Sequence, residues 1–200
     1  MTLYLYVEGG GDSKEQHARC REGFRKLMEQ SGLRGHMPRI VAGGSRSATY
    51  RQFTKAQLDS EKTSILLVDS EEPVTQSPWA HVLRRDQWER PSGATDDQLQ
   101  FMATCMETWI IADRQALSRF FGANLNEKAL LPLNDLEQRR RDEVQETLEQ
   151  ATRPCGPDRQ YKKGRRSFQV LASLDSQTLT RYLPHFRRLI DTLNSLPNFP

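Results

Sequence analysis

The chain has 200 residues, enough for one domain or for a domain with a helical appendage. With 28% charged residues and no apolar run near the roughly 18 residues of a membrane span, it is not expected to cross a bilayer. A net charge of +3 is mild, and three widely spaced cysteines are typical of reduced structural thiols rather than of a zinc site. The N-terminus lacks the basic start and cleavage site of a signal peptide, so we expect a cytoplasmic protein.

The first third of the chain predicts alternating strands and helices. Residues 3–7, LYLYV, are typical of a buried strand, and a helix capped by Asp12 or Ser13 is expected to run to about Gly32. The segment PRIVAGGS predicts a second strand, a second helix begins near Ser47, and TSILLVDSEEP has the composition of a central parallel strand. This β-α-β-α-β order predicts a parallel sheet with helices on its faces.

The remainder of the chain is predicted to be mainly helical. We expect a fourth strand at 99–106, followed by one helix over ETWIIADRQALSRFFG that ends at Gly122. The predicted fold class is therefore α/β, with a core at 1–122 and a helical C-terminal extension at 123–200, packed as one compact unit. The other expected elements are a loop with a short amphipathic piece at 73–93, a charged helix at 135–151, a basic loop at 153–165 and one or two helices at 166–194.

Acidic residues follow two of the predicted strands, at the point where each strand ends. Glu8 follows the first strand, and Asp69 and Glu71 follow the third. In an open parallel sheet, ligands bind beyond the carboxyl ends of the strands, and residues two apart on an extended chain point to the same side, about 6–7 Å apart. If the two strands are neighbours, three carboxylates converge, and a cation such as Mg²⁺ or Mn²⁺ offsets their repulsion.

Each of these features also has a simpler interpretation. Glu8 can cap a turn, and the segment DSEEP can be a solvated loop before a proline. The glycines at 9–11 lead into a helix N-terminus that can hold a phosphate, but they match neither GxxxxGK[ST] nor GxGxxG and can equally form a tight turn. Asp12 can join the site, although N-capping is its expected role. The charged run at 137–150 is interpreted as a solvated helix face.

Two motifs carry a resemblance to a known fold. VEGGGD after the first strand and LLVDSEEP after the third resemble the Toprim fold of topoisomerases, DnaG-type primases and OLD-family nucleases, in which a glutamate follows the first strand and a DxD motif the third. Here the second motif is Asp69-Ser70-Glu71, so one carboxylate stands on a longer side chain. ETWIIADRQAL and YKKGRRSFQVL resemble signatures of a small bacterial family with a Toprim-like core, often encoded beside ATPases in phage-defence loci.

The resemblance implies roles for particular acidic residues. Glu8 would act as general acid/base or as a metal ligand, and Asp69 and Glu71 would bind metal. Glu107 is implied as a fourth carboxylate ligand, although its place at a helix start also suits the helix dipole alone. Asp113 lies six residues later on the same predicted helix and therefore on another face, so both acids are not expected to touch one ion.

A basic segment in the last quarter of the chain predicts contacts with phosphate. In RQYKKGRR, Lys162 and Lys163 follow a tyrosine, and Arg165 and Arg166 follow a glycine. These cations would neutralise a nucleic-acid backbone, and Lys162 would stabilise the charge that develops during phosphoryl transfer. A flexible, exposed basic loop is the alternative.

The resulting functional hypothesis is a Mg²⁺- or Mn²⁺-dependent nuclease that uses water as the nucleophile. DNA is the expected substrate rather than RNA, and the resemblance implies an ATPase partner in anti-phage defence. A homo-oligomer is also compatible with the sequence. Two alternatives stay open. One is a Toprim-like regulatory subunit with a degenerate site, favoured by Glu71 in place of an aspartate, and the other is a nucleotide-binding α/β domain that uses the glycine turn for phosphate.

Overall fold

The fold is organised around a parallel β-sheet. The computed structural model describes residues 2–33 and 37–196. Within these residues the strands are β1 (Thr2–Val7), β2 (Arg39–Ala42), β3 (Lys62–Asp69) and β4 (Leu99–Met102). They form one sheet in the order β2-β1-β3-β4, and every neighbouring pair is parallel. The predicted α/β class, with a parallel sheet flanked by helices and a helical C-terminal part, is confirmed.

Helices connect the strands and form most of the C-terminal part. The first two begin at serine caps, because the Ser13 and Ser45 hydroxyls accept hydrogen bonds from backbone N–H groups three residues later. In the described residues the helices are α1 (Lys14–Gln30), α2 (Arg46–Ala56), α3 (Pro78–Asp86), α4 (Met106–Ala112), α5 (Arg114–Phe121), α6 (Arg141–Thr152), α7 (Arg165–Leu171), α8 (Ser176–Tyr182) and α9 (Pro184–Ser195).

Both faces of the sheet are covered by apolar side chains. Leu67 of β3 belongs to a core cluster with Phe24 and Trp109, while its neighbour Leu66 belongs to a second cluster with Phe53. Alternate residues of one strand therefore enter opposite layers, which explains the uninterrupted apolar run of β3. No helix of the described residues is long and apolar enough to cross a membrane.

The C-terminal helices pack directly on the sheet and on α1. A Cβ atom at Gly23 of α1 would lie 2.8 Å from the Phe168 carbonyl oxygen of α7, so the absence of a side chain permits this close contact. In the last helix, α9, Arg188 donates a hydrogen bond to the carbonyl of Leu99 in β4 at 3.1 Å. One apolar cluster accordingly includes residues from Leu3 to Leu193. The predicted division of the chain into a core at 1–122 and a helical extension at 123–200 stays a prediction.

Several predicted element boundaries are wrong. The single helix expected over 107–122 is broken at Asp113, whose buried carboxylate accepts the Ala116 N–H at 2.9 Å and the Asp175 N–H at 2.8 Å. The Asp113 carboxylate thus caps the start of α5 and holds the turn before α8. Because it makes both contacts, the single predicted helix must break at this residue. The other differences are a fourth strand that ends at Met102, a charged helix that begins at Arg141, a defined helix at Pro78–Asp86 and three helices after 164.

Candidate metal centre

The carboxyl ends of β1 and β3 meet, as the sequence predicts. The strands pair with Val7 beside Leu67, and the Glu8 N–H donates to the Leu67 carbonyl at 2.9 Å. The Asp69 N–H in turn donates to Oε2 of Glu8 at 3.1 Å. Glu8, Asp69 and Glu71 each offer one oxygen, and these three atoms lie within 4.8 Å of one another. Adjacent strand ends therefore bring the three predicted carboxylates into one acidic centre.

Glu71 reaches the centre through a turn and not through the extended chain that the sequence predicts. Strand β3 ends at Asp69, and Glu71 has a left-handed backbone with φ of 69°. Its N–H donates to the Thr104 carbonyl at 2.8 Å, so the segment after β4 holds the turn in place. A glutamate in this region is uncommon and costs of order 1–3 kcal/mol, which the surrounding contacts must offset.

Asp69 is the most deeply buried of the three acids, with 4% of its surface exposed. Its Oδ1 accepts the N–H of Met106, the first residue of α4, at 2.9 Å. Burial raises the pKa of the Asp69 carboxyl well above its ordinary value, and the negative charges of Glu8 and Glu107 raise it further. This carboxylate is therefore costly to ionise unless a positive charge lies close to it.

Glu8 is partly buried and has an arginine as its nearest cation. Burial raises the pKa of its carboxyl, and Arg46, 3.6 Å away, opposes that shift most strongly. Arg46 also donates to the Asp69 carbonyl, pairs with Asp86 at 2.7 Å and lies 4.8 Å from the Trp88 ring centre. Its guanidinium is thus held rigidly beside the acidic centre. Nothing in the sequence marks this arginine except its place after the second glycine turn.

Two further arginines, also missed by sequence reasoning, surround Glu71. Arg141, at the start of α6, forms an ion pair with its carboxylate, and Arg85 of α3 lies 3.7 Å from the same oxygen. Arg141 also lies 4.0 Å from Asp69. The acidic centre is therefore ringed by guanidinium groups from three helices, α2, α3 and α6.

Glu107 is not part of the group of three converging carboxylates. It is 1% exposed, and its Oε1 accepts a 2.9 Å hydrogen bond from the Tyr161 hydroxyl, while Gln145 donates to Oε2 at 3.4 Å. Burial and the Glu107 charge raise the pKa of Tyr161 well above its ordinary value, so the hydroxyl stays a donor. The predicted metal contact of Glu107 stays a prediction. Trp109, on the same helix, is fully buried in the apolar core.

A cavity of about 410 Å³ opens beside Glu8 and Asp69 and is called the glycine cavity here. The backbones of Gly9 and Gly44 exchange two hydrogen bonds at its edge, of 2.9 and 3.0 Å. Gly10 has φ of 92°, and a Cβ there would lie 2.8 Å from the His17 ring, so the turn requires glycine. The cavity is lined by residues 8–12, Gln16, Gly44, Ser45, Asp69, Met102, Met106, residues 163–164, Ser167 and Phe168.

The basic residues of the predicted phosphate-binding segment lie in different surroundings. Lys163 lines the glycine cavity and is close enough to lower the pKa values of Glu8 and Asp69. Lys162 is exposed, and its predicted catalytic role stays a prediction. Arg166 donates to the carbonyls of Gln160, at 3.2 Å, and Asp158, so it stabilises its own loop. The side chain of Arg165 lies outside the described residues.

The oxygen donors of the centre fit a hard divalent cation. Each acid uses one oxygen within the protein: Glu8 Oε2 accepts from Asp69, Asp69 Oδ1 from Met106, and Glu71 Oε2 from Arg141. The three carboxylates, which each offer one oxygen to the converging group, form a donor set of the kind that Mg²⁺ and Mn²⁺ prefer, with positions left for water. The residues do not distinguish between these two ions.

Comparison with known proteins gives one coarse result. The family model described as a domain of unknown function, DUF4276, matches residues 7–194. No curated protein gives a significant match, and no solved structure does so either. The matched range includes all three carboxylates of the acidic centre and the helices that surround it.

Proposed function

The chain belongs to the DUF4276 family, and we propose that it is a divalent-cation-dependent enzyme that hydrolyses phosphodiester bonds of nucleic acid. The observation that carries the proposal is the convergence of Glu8, Asp69 and Glu71 within 4.8 Å at the carboxyl ends of two adjacent strands. Three carboxylates in one crevice repel one another, and the left-handed backbone of Glu71 adds to the cost. A bound divalent cation accounts for both features.

In the proposed hydrolysis, different residues of the chain have different roles. A cation at Asp69 and Glu71 would supply Lewis-acid polarisation of the phosphate and charge neutralisation on the leaving oxygen. Glu8 orients the attacking water and takes its proton as the new P–O bond forms and the old one breaks. Because burial raises the pKa of Glu8, this group is a stronger base than an exposed glutamate. Lys163, at the cavity wall, stabilises negative charge on the phosphate.

The Toprim resemblance supports the same reading. A glutamate after β1 and an acidic pair after the adjacent β3 match the positions that the Toprim motifs occupy. The proposal accordingly includes a nucleic-acid substrate, with DNA preferred over RNA, and an ATPase partner that controls the nuclease in phage defence. The nucleic-acid substrate and the ATPase partner rest on the resemblance. The proposal also includes a cytoplasmic location.

A degenerate regulatory subunit is the second candidate, and one observation favours it. Arg141 already pairs with Glu71, and Arg46 lies 3.6 Å from Glu8, so guanidinium groups offset part of the negative charge. In this alternative the arginines permanently replace the cation, and the centre contributes stability and partner contacts. The two candidates differ in whether the wild-type chain cleaves nucleic acid when a divalent cation is added.

The test is a cleavage assay on plasmid DNA, single-stranded DNA and RNA, with Mg²⁺, Mn²⁺ or EDTA. The variants are Glu8→Gln and Asp69→Asn, each of which removes one charge and keeps the shape of the side chain. Glu29→Gln is the matched control, because Glu29 pairs with Arg25 on the surface of α1 and is not part of the acidic centre.

We expect cleavage that EDTA abolishes, a loss of at least 100-fold in the first two variants and wild-type rates in Glu29→Gln. Equal rates in wild type and Asp69→Asn would rule out the proposed centre. Absence of cleavage, even with an ATPase encoded by a neighbouring gene, would favour the regulatory subunit.

A further inference from the structure

Two cavities border the acidic centre, and they are lined by different members of it. The glycine cavity is lined by Glu8 and Asp69. A second cleft of about 470 Å³, called the arginine cleft here, is lined by residues 71–73, residues 140–142 and Gln145. The facing oxygens of Glu8, Asp69 and Glu71 lie within 4.8 Å of one another, so one ion at the centre would border both openings.

The arginine cleft offers donors for an anion. Arg140 is 78% exposed and, among the described residues, pairs only with the nearby Asp142, while Arg141 is 30% exposed and pairs with Glu71. A guanidinium has five N–H donors, so a single carboxylate does not satisfy it. Nε of Arg141 is buried and has no hydrogen-bond partner in the part of the chain that the structure describes.

The two openings also fit the shape of a strand. A nucleic-acid strand continues on both sides of the bond that is cut, so a centre with one opening accepts a strand end, whereas a centre with two lets the strand pass. Volumes of about 410 and 470 Å³ are of the size that accommodates a ligand such as one nucleotide. Lys163 lines the first opening, and Arg140 and Arg141 line the second.

We propose that the glycine cavity and the arginine cleft form one continuous track for a single strand of nucleic acid. Lys163 holds a phosphate on one side of the scissile bond, and Arg140 and Arg141 hold a phosphate on the other. This inference rests on the proposed function and deepens it, because it makes the substrate an internal phosphodiester bond of a single strand.

Strand binding tests the track without requiring cleavage. The probe is a fluorescein-labelled 12-nucleotide oligothymidylate with Mg²⁺, followed by anisotropy and checked for intactness on a gel. The variants Arg140→Gln, Lys163→Gln and their combination are compared with wild type. Arg25→Gln is the matched control, since Arg25 is also an exposed arginine, paired with Glu29 on α1.

Each single variant is expected to weaken binding about 3- to 10-fold and to lower the slope of log K against log salt by about 0.7, the value for one phosphate contact with a single strand. In the double variant, the losses of affinity and the decreases in salt slope should add. Arg25→Gln should bind with the affinity of wild type. Weakened binding in only one of the two single variants, or in neither, overturns the track. An oligonucleotide that does not bind the wild type overturns it as well.

Cleavage gives a second readout. Circular single-stranded DNA has no ends, so the track predicts that it is cut at a rate within a few-fold of linear DNA of the same sequence. Cleavage confined to linear DNA contradicts the track and leaves the proposed function intact. Absence of any cleavage contradicts the proposed function, while the binding series still decides whether the strand lies across both openings.

Discussion

Arg141 forms an ion pair with Glu71, and the same guanidinium lies 4.0 Å from an oxygen of Asp69. The contact joins the start of α6 to the turn after β3, two segments 70 residues apart in sequence. Arg141 therefore stands beside the oxygens that a cation would use. It acts as a counter-ion for the acidic centre, and under the proposed function it would compete with a divalent cation for Glu71.

This competition predicts that Arg141→Gln binds divalent cations more tightly than wild type. The expected gain is about 5-fold, because a partly exposed ion pair contributes up to ~1 kcal/mol and no longer has to be broken. Titration calorimetry with Mn²⁺ measures it. Arg140→Gln is the matched control, since Arg140 pairs with Asp142 and not with the centre. Unchanged or weaker Mn²⁺ binding in Arg141→Gln would mean that the ion pair does not compete with the metal.

Tyr161 and Glu107 give a prediction about stability. Tyr161→Phe removes the only hydroxyl that donates to the Glu107 carboxylate within the described residues, and leaves that buried charge with its contact to Gln145. We expect the free energy of unfolding to fall by about 1–3 kcal/mol, as measured by urea denaturation. Tyr4→Phe is the control, because the Tyr4 hydroxyl makes only a 3.5 Å contact with Arg39 on the surface. A change under about 0.5 kcal/mol in Tyr161→Phe would show that the hydrogen bond contributes little.

Glu137 predicts a pH dependence of stability. Its buried carboxylate accepts the His185 N–H at 3.0 and 3.1 Å near the start of α9, and burial raises its pKa from an ordinary 4.5 to about 7. The folded state thus holds this proton up to a higher pH than the unfolded state does. The contribution of Glu137 is complete below about pH 4.5, declines as the pH rises to about 7 and is then constant, for a total loss of ~3 kcal/mol.

The measurement is the difference in unfolding free energy between wild type and Glu137→Gln at several pH values. Relative to the variant, wild type should lose stability between pH 4.5 and 7.5. His185, whose pKa burial lowers to about 4, titrates in both proteins and has the opposite effect, so the difference largely removes it. Glu143→Gln, at an exposed site of α6, should show no such trend. A difference that does not vary with pH would exclude this role for Glu137.

The sequence predicts the acidic centre because strand ends are easy to locate. The apolar runs of β1 and β3 stop at Glu8 and Asp69, and in a parallel sheet neighbouring strand ends must meet. It does not predict the turn that brings in Glu71, since that turn depends on a hydrogen bond to Thr104 beyond β4. The break at Asp113 likewise depends on Asp175, 62 residues away.

The cations around the centre could not be predicted for the same reason. Arg46, Arg85 and Arg141 lie in three helices, and only the folded chain brings them to Glu8 and Glu71. The charged run at 137–150 has the pattern of an ordinary solvated helix, yet its Arg141 touches the acidic centre. Pattern alone therefore located the carboxylates and missed the groups that neutralise them.

The central claim is that the acidic centre formed by Glu8, Asp69 and Glu71 holds a divalent cation, and Mn²⁺ titration of the purified chain tests it most directly. Electron paramagnetic resonance, which detects free Mn²⁺, should reveal saturable binding in wild type and in the surface variant Glu29→Gln. Asp69→Asn should lose that binding by at least 10-fold, because it removes the central carboxylate of the donor set. Equal Mn²⁺ binding in wild type and Asp69→Asn, or no saturable binding in wild type, would contradict the claim.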